Sequence, residues 1–197
     1  TARPDPPHYP RLRLSAQANT VLRARYQARN RDGTIVETPR QLFWRVATDI
    51  AQAERRYPSP SRLPHAAQRW YESMARLDFL PNSPTLMNAG RRLQQLSACF
   101  VLPVEDSLTS IYDTLKYQAL IHQSGGGTGY SFSHVRPHDD QVASSNGVAS
   151  GPISFMRLFN LSTDVIKQGG TRRGANMGIL RIDHPDILDF IALKQSP

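Results

Sequence analysis

Cys99 is the only cysteine of the 197-residue chain, and it lies in a short apolar stretch, 95–102, bounded by polar residues. A stretch of this length and character predicts a buried strand more than a helix. Ser97 and Ala98 are small and leave room beside the thiol for a ligand or a second backbone. Taken alone, such a thiol is typical of a small buried hydrophobic side chain, so neighbouring motifs decide whether it does chemistry.

A glycine-rich run, Ser-Gly-Gly-Gly-Thr-Gly, occupies residues 124–129. Successive glycines let backbone N–H groups approach a ligand where side chains would clash. The run lacks both the Lys-Ser/Thr pair of a P-loop and the spacing of a dinucleotide fingerprint. It is equally typical of a helix C-terminal cap followed by a tight turn, and the sequence leaves both interpretations open.

A second glycine-rich stretch, 167–178, places two arginines between glycines and a glutamine just before the first glycine. Arginine offers a planar fork of donors to a phosphate or a base edge and stacks on rings. Glutamine and asparagine side chains can also read base edges. The stretch predicts a flexible nucleotide-sensing loop, with a solvated basic loop as the alternative.

Metal and hydrolase chemistry find little support in the sequence. His134 and His138 are four residues apart but flank a proline and lack further ligands nearby, so we expect no metal site there. No nucleophile-elbow pattern is present. A single cysteine also cannot form an intramolecular disulfide, which excludes a secreted disulfide scaffold.

The elements that position these motifs divide at about residue 81. The predicted parts are a flexible Pro/Arg-rich arm at 1–14, a helical domain at 15–80, and βα units at 81–197. Thr38 followed by Pro39 is a strong helix start, and residues 42–50 recur at helical spacing. A further helix is expected from about 66 to 80, with Trp70, Met74 and Leu77 in the core.

After residue 81 the chain alternates strands and helices, which indicates an α/β fold with a largely parallel sheet. Residues 81–85 are expected to form a loop, and 105–107 to cap a helix. The polar stretch 139–151 is expected to be loop-like. The other predicted strands are 130–133 and 178–182, and further helices are expected from Gly151-Pro152 and from Pro185.

The net charge is +8 and the isoelectric point is near 10.1. This basic balance favours a phosphate-bearing partner, either nucleic acid or nucleotides, although an arginine-rich surface alone would give the same balance. The N-terminus lacks the apolar segment of a signal peptide, and no apolar run approaches the roughly 20 residues of a membrane span. We expect a soluble, cytoplasmic protein without a membrane partner.

Six segments, in this order and spacing, resemble the large (catalytic) subunit of ribonucleotide reductases, with the class II, adenosylcobalamin-dependent branch the most similar. The segments are 81–90, 95–101, 106–113, 124–129, 147–151 and 167–180. The resemblance covers roughly residues 15–195. It implies a ten-stranded α/β barrel behind the helical domain, of which this chain would hold the first part. It also implies reduction of the 2′-OH of a ribonucleotide.

The resemblance assigns a substrate site. Cys99 would be one half of the dithiol that supplies two electrons and ends as a disulfide, chemistry that needs an accessible sulfur. Ser83, Ala98, Cys99 and Gly127 match positions that hold the phosphates and ribose of the substrate. Many class I relatives carry a second serine where Ala98 stands, so one hydroxyl contact would be absent or replaced here.

The resemblance also assigns a specificity-effector site, where a deoxynucleotide or ATP binds between subunits. The matching residues are Asp106, Ser107, Leu108, Arg136 and Val142. Asp106 would accept hydrogen bonds from the effector, although its position also suits a simple helix cap, and Arg136 would meet the phosphates. A loop would relay effector identity to the substrate base: Gln168, Gly169, Gly170, Thr171, Arg172 and Arg173. Helices beginning near Leu108 and Ile153 match the dimer interface of the family.

Other parts of the family's machinery would lie beyond Pro197: a thiyl-radical cysteine, the second cysteine of the disulfide, an Asn, a Glu and most cobalamin contacts. We therefore expect this chain to need the C-terminal remainder, a homodimer partner and a thioredoxin- or glutaredoxin-type reductant. The alternatives are a non-catalytic nucleotide-binding and dimerisation fragment, or a class I large subunit. A nucleic-acid-binding protein is not favoured, because the aromatic residues fall on predicted core stripes.

Overall fold

The computed structural model describes residues 11–57, 62–142, 146–166 and 174–195. The chain forms two compact units, residues 1–97 and 98–197. The domain limits inferred from the sequence stay a prediction. Residues 1–10 of the predicted arm and all six residues of the predicted relay loop, 168–173, lie outside the described residues.

The first unit is helical. Its α-helices are α1 (Ala16–Arg25), α2 (Pro39–Ala51), α3 (Arg62–Ala75) and α4 (Ser83–Asn88), and a short 3₁₀ helix, Gln52–Arg56, follows α2. The predicted start of α2 is confirmed, because Thr38 and Gln41 exchange side-chain-to-backbone hydrogen bonds in a capping box. The predicted loop at 81–85 is wrong. Asn82 instead caps α4, and Pro84 lies in its first turn, where its missing N–H costs nothing.

The core of this unit forms mainly between α2 and α3. Leu42 and Phe43 of α2 are 0% and 1% exposed, as the helical spacing predicts. The predicted stripe on α3 is wrong for Trp70, which is 44% exposed, while its neighbour Tyr71 is fully buried. It is also wrong for the exposed Leu77, because α3 ends at Ala75. In the predicted arm, Leu12 and Leu14 pack against this core.

The second unit combines a parallel sheet with helices, which confirms the predicted βα organisation. Its strands are β1 (Cys99–Leu102), β2 (Gly127–Ser131), β3 (Gln141–Val142), β4 (Gly147–Val148) and β5 (Asn176–Ile179). Its helices are α5 (Leu108–Gln123), α6 (Gly151–Val165) and α7 (Ile187–Ala192). The parallel sheet has the order β1-β2-β5, while β3 and β4 form a small antiparallel hairpin within the stretch expected to be loop-like.

The register of the sheet places Cys99 opposite Gly127 and Thr128 opposite Asn176. The prediction of a buried β1 is wrong: Cys99 is exposed, and Val101 is 87% exposed. Among the described residues β1 has a strand neighbour only in β2, so one of its edges has no paired strand there. The three strands do not close into a barrel, which agrees with the first part of a larger barrel.

An aromatic cluster fixes α6 against β2. The rings of Tyr130 and Phe159 meet edge to face with centroids 4.8 Å apart, and Phe132 meets Phe159 at 5.4 Å. Edge-to-face pairs add to the stabilisation that burial alone provides. Among the described residues, no helix combines the length and apolarity needed to cross a bilayer.

Candidate functional site

Three of the four predicted substrate residues come together at the amino ends of β1 and β2. The Gly127 N–H donates to the carbonyl oxygen of Ala98 at 2.8 Å. A Cβ at Gly127 would lie 3.6 Å from the Cys99 sulfur and 3.4 Å from the Ala175 carbonyl oxygen. The absence of a side chain at Gly127 therefore leaves open the space directly beside an exposed thiol.

Ser83, the fourth predicted substrate residue, belongs to the first unit and is the first residue of α4. Its side chain is exposed, and its hydroxyl lies 2.9 Å from the hydroxyl of Tyr26. Sequence reasoning did not single out Tyr26, because the residue stands outside every motif that carries the resemblance.

The glycine run at 124–129 closes α5 and starts β2. The N–H groups of Gly125 and Gly126 donate to the carbonyl oxygens of His122 and Ile121, each at 3.0 Å. Gly125 has a φ of +92°, and a Cβ at Gly126 would lie 2.6 Å from the Ile121 side chain. Together with the Gly127 bond, all three N–H groups are used within the chain. The helix-cap interpretation is therefore correct, and these amides do not point at a ligand.

A buried polar network lies behind the glycine run. The Thr128 hydroxyl is 2.9 Å from His122 Nε2, 2.6 Å from the Tyr130 hydroxyl and 2.9 Å from Asn176 Oδ1. The Tyr130 hydroxyl also reaches Gln118 Oε1 at 2.9 Å. Burial raises the pKa of Tyr130 to about 12, with its hydrogen bond to Thr128 opposing the shift. The network links α5, β2 and β5 with hydrogen bonds that fix their register.

His122, like Gln118, is 0% exposed. Burial lowers its pKa below 6.5, and a backbone interaction with Ala175 opposes part of that shift. Nε2 lies 2.9 Å from the Thr128 hydroxyl, and Nδ1 has no well-formed hydrogen bond. Gly174 packs so close that a Cβ there would lie 2.7 Å from Nδ1. The neutral ring therefore sets how closely the chain can approach α5 just before β5.

The sequence did carry a signal for this network. Gln118 and His122 follow Ile111 and Thr114 at helical spacing, so they share the buried face of α5. A pattern based on apolar residues alone does not include these polar residues of the buried face.

Two predicted effector residues, Asp106 and Arg136, bind each other directly. The carboxylate accepts from Arg136 Nε at 2.8 Å and from the Arg136 backbone N–H at 3.2 Å. Both side chains remain 34% exposed, so a ligand can reach them. A carboxylate has about four acceptor positions, and Asp106 therefore keeps capacity for a further hydrogen bond.

The remaining predicted effector residues lie on two elements of the same unit, α5 and β3. Ser107, not Asp106, is the N-cap of α5, since its side chain accepts from the Ser110 N–H at 3.2 Å. Leu108 begins α5 and is 66% exposed. Val142 lies in β3 of the small hairpin and is partly buried.

Among the described residues, no group of three or more His, Cys, Asp or Glu side chains is arranged to hold a metal ion. His134 instead lies 3.8 Å from Glu105, and His138 lies 3.0 Å from Asp139. The candidate site thus rests on a thiol, small residues around it and polar side chains suited to phosphates.

Both units match known protein families. Residues 12–94 match the family described as ribonucleotide reductase, all-alpha domain, and residues 97–197 match ribonucleotide reductase, barrel domain. The chain therefore belongs to the ribonucleotide reductase large-subunit family, which confirms the resemblance drawn from the sequence.

Three individual relatives show how similar the chain is to named proteins of this family. The chain is 47% identical to a vitamin B12-dependent ribonucleoside-diphosphate reductase of Thermoplasma acidophilum, over 94% of this chain and 31% of that protein. It is 49% identical to the protein of the same name from Mycobacterium tuberculosis, over 94% of this chain and 27% of the relative. A ribonucleoside-diphosphate reductase large chain of Schizosaccharomyces pombe is 34% identical over 84% of this chain. The chain thus spans about a third or less of the length of these relatives.

Proposed function

We propose that this chain supplies the helical domain and the first barrel strands of an adenosylcobalamin-dependent ribonucleotide reductase. The observation that carries the proposal is the exposed Cys99 thiol opposite a side-chain-free Gly127, on a chain that resembles proteins named vitamin B12-dependent reductases. The reaction is reduction of a ribonucleotide to a 2′-deoxyribonucleotide. The identity of the relatives favours this class over class I large subunits.

Cys99 acts as one of two reducing thiols. The ribose 2′-C–O bond breaks, the oxygen leaves as water, and a C–H bond replaces it. Two thiols lose two electrons and two protons as they join in a disulfide, which balances the reduction. Since Cys99 is the only cysteine of this sequence, the second thiol comes from another polypeptide segment. A thioredoxin- or glutaredoxin-type protein then reduces the disulfide for the next turnover.

The described residues around the thiol do not by themselves fit a cobalamin. A Cβ on Gly127 would meet Cys99, Ala98 and Ala175, and of these residues only Cys99 has a side chain able to ligate cobalt. Adenosylcobalamin would supply the radical when bound, and most of its contacts would come from other segments of the enzyme. This chain instead contributes the reducing thiol and the space beside it.

The allosteric part of the proposal rests on Asp106 and Arg136. The exposed sides of Asp106 and Arg136 would form hydrogen bonds to the phosphates and sugar of a bound deoxynucleoside triphosphate. An adjacent apolar face would bury against a second copy of the chain. Its members are exposed residues on α5 and α6: Leu108, Tyr112, Tyr117, Leu120, Leu161 and Val165.

Reconstitution tests this proposal. The chain is combined with a polypeptide that supplies the remaining length of a relative, and nucleoside diphosphate reduction is measured with adenosylcobalamin and a dithiol. We expect multiple turnovers, and we expect Cys99→Ser to abolish them while nucleotide binding persists. Ser97→Ala, a neighbouring change of similar size, serves as the control and keeps activity.

Two outcomes contradict the proposal. Normal cycling by Cys99→Ser would show that Cys99 is not a reducing thiol. Nucleotide binding without any turnover in the reconstituted wild type would favour the alternative of a non-catalytic binding and dimerisation fragment.

A further inference from the structure

A pair of hydroxyl groups in the helical unit lies outside the motifs that assign the function. The Tyr26 hydroxyl and Ser83 Oγ are 2.9 Å apart, at a position open to solvent. The two residues are 57 positions apart in the sequence, so only the fold brings them together. Ser83 is one of the four residues that the family resemblance assigns to the phosphates and ribose of the substrate, and Tyr26 has no assigned role.

The backbone that carries Ser83 is well anchored. Asn82 accepts a hydrogen bond from the Thr85 N–H at 2.9 Å, which closes the first turn of α4. The Thr85 hydroxyl donates to the Leu96 carbonyl oxygen at 3.0 Å. The backbone of Ser83 is thus held in place within this unit, and the hydroxyl group moves only by rotation of the side chain.

Tyr26 is anchored by a buried ion-pair network. Arg91 Nη2 donates to the Tyr26 carbonyl oxygen at 2.6 Å and lies 3.3 Å from Glu37. Glu37 is held in turn by Arg45 at 2.7 Å, with both side chains almost fully buried. The Tyr26 N–H donates to the Leu22 carbonyl oxygen at 3.0 Å. The phenol therefore projects from a rigid backbone towards Ser83.

The chemistry of the two hydroxyls sets the direction of their bond. A phenol, with a pKa near 10, is a better donor than an aliphatic hydroxyl. When Tyr26 donates to Ser83, the proton of Ser83 is free to point outward. A hydrogen-bond donor that itself accepts a bond is polarised and donates more strongly.

We propose that Tyr26 is a positioning residue for the substrate phosphates, acting through Ser83. Its hydroxyl donates to Ser83 Oγ, and Ser83 donates its own proton to a phosphate oxygen of the bound nucleotide. This inference rests on the proposed function, since it presumes that Ser83 meets the substrate. It adds a residue from α1's C-terminal end to a site otherwise described through α4.

The competing explanation is a structural brace, in which the same bond only ties the end of α1 to α4. Kinetics separate the two, because a brace changes stability whereas a positioning bond changes substrate affinity. The variants Tyr26→Phe, Ser83→Ala and their combination are compared in the reconstituted enzyme. Tyr57→Phe is the control, since Tyr57 is 61% exposed and its phenol is likewise lost.

We expect Tyr26→Phe to raise KM for a nucleoside diphosphate about two- to tenfold, the effect of one neutral hydrogen bond, with kcat unchanged. Ser83→Ala is expected to raise KM at least as much, and the double variant no further, because Tyr26 acts only through Ser83. Ser83→Thr keeps a hydroxyl and keeps the sensitivity to Tyr26→Phe. For the matching nucleoside, which lacks phosphates, Tyr26→Phe has no effect.

The results distinguish this inference from the function on which it rests. If the wild-type enzyme reduces no nucleotide, the proposed function fails. If the wild type is active but Tyr26→Phe leaves KM unchanged, or adds fully to Ser83→Ala, the positioning role is overturned. A lower urea midpoint for Tyr26→Phe with an unchanged KM assigns the brace.

Discussion

Cys99 and Gly127 face each other as the first residues of two parallel strands, and a methyl group on Gly127 would lie 3.6 Å from the sulfur. That distance is an ordinary van der Waals contact, so the fold can accept the methyl group. A substrate that occupies the same space would be excluded by that methyl group. A methyl group at Gly127 is therefore expected to weaken substrate binding more than it destabilises the fold.

Gly127→Ala is expected to lower the free energy of unfolding by less than about 1 kcal/mol, since no neighbour is displaced. It should raise KM for the nucleotide at least tenfold in the reconstituted enzyme. Gly126→Ala is the matched control: its Cβ would lie 2.6 Å from the Ile121 side chain, and overpacking costs about 1–3 kcal/mol. Wild-type KM in Gly127→Ala would remove Gly127 from the substrate site.

Arg136→Ala is expected to weaken binding of a deoxynucleoside triphosphate about ten- to a hundredfold. A hydrogen bond to a charged group contributes about 1.5–3 kcal/mol, which corresponds to that range. Equilibrium dialysis measures the effect. Arg181→Ala is the control, because Arg181 is an exposed arginine that also pairs with an aspartate, Asp183, at 2.6 Å. Equal losses in both variants would indicate a general charge effect instead of an effector site.

Leu120→Glu is expected to raise the dissociation constant of the homodimer at least tenfold. Leu120 is 56% exposed on the apolar face of α5, and an unpaired charge buried in an interface is costly. Sedimentation in the presence of a reductant provides the measurement. Leu188 is 74% exposed on α7, outside that face, and Leu188→Glu should leave association unchanged. Identical behaviour of the two variants would contradict the assignment of the interface.

The lowered pKa of His122 predicts acid sensitivity. The folded chain keeps His122 neutral below pH 6.5, where the unfolded chain takes up a proton. Unfolding therefore binds a proton, and stability falls as the pH drops below about 6.5, by at most about 1.4 kcal/mol per pH unit. Urea unfolding at pH 7.5 and 5.5 should show a smaller difference for His122→Gln than for the wild type. His134 has a side chain 74% exposed, and His134→Gln should keep the wild-type difference.

Arg45→Met is expected to lower the free energy of unfolding by about 3–5 kcal/mol, because it leaves the Glu37 carboxylate buried without its main partner. Burial by itself raises the pKa of Glu37, but the hydrogen bond and charge of Arg45 outweigh it and hold the pKa below its usual value. Arg76→Met removes an exposed ion pair and should cost less than about 1 kcal/mol. Similar costs in urea unfolding would show that the buried pair is not essential.

Local signals predicted the elements that depend on local chemistry. Thr38 with Pro39 gave the start of α2 because capping needs only neighbouring residues. The same signal was present at Asn82 and Pro84 but was interpreted as a loop. The family resemblance assigned Cys99 and Gly127 to the substrate site, which stays a prediction, and the register of the sheet places the two residues opposite each other.

Other features depended on tertiary structure and could not be obtained from local patterns. Glycine disfavours strands, so a strand beginning at Gly127 follows from pairing with β1 and β5 and not from propensity. The exposure of Cys99 depends on which strands lie beside β1. The Tyr26–Ser83 contact joins residues that no periodicity relates.

One edge of β1 has no paired strand among the described residues, and this affects how the purified chain must be handled. An open strand edge is a template for pairing with another molecule, and here it carries an exposed thiol. Two molecules whose exposed thiols meet become covalently linked when air oxidises the sulfurs to a disulfide. Such an oxidised adduct would mimic a dimer on a sizing column, so native association has to be measured with every sulfur kept reduced.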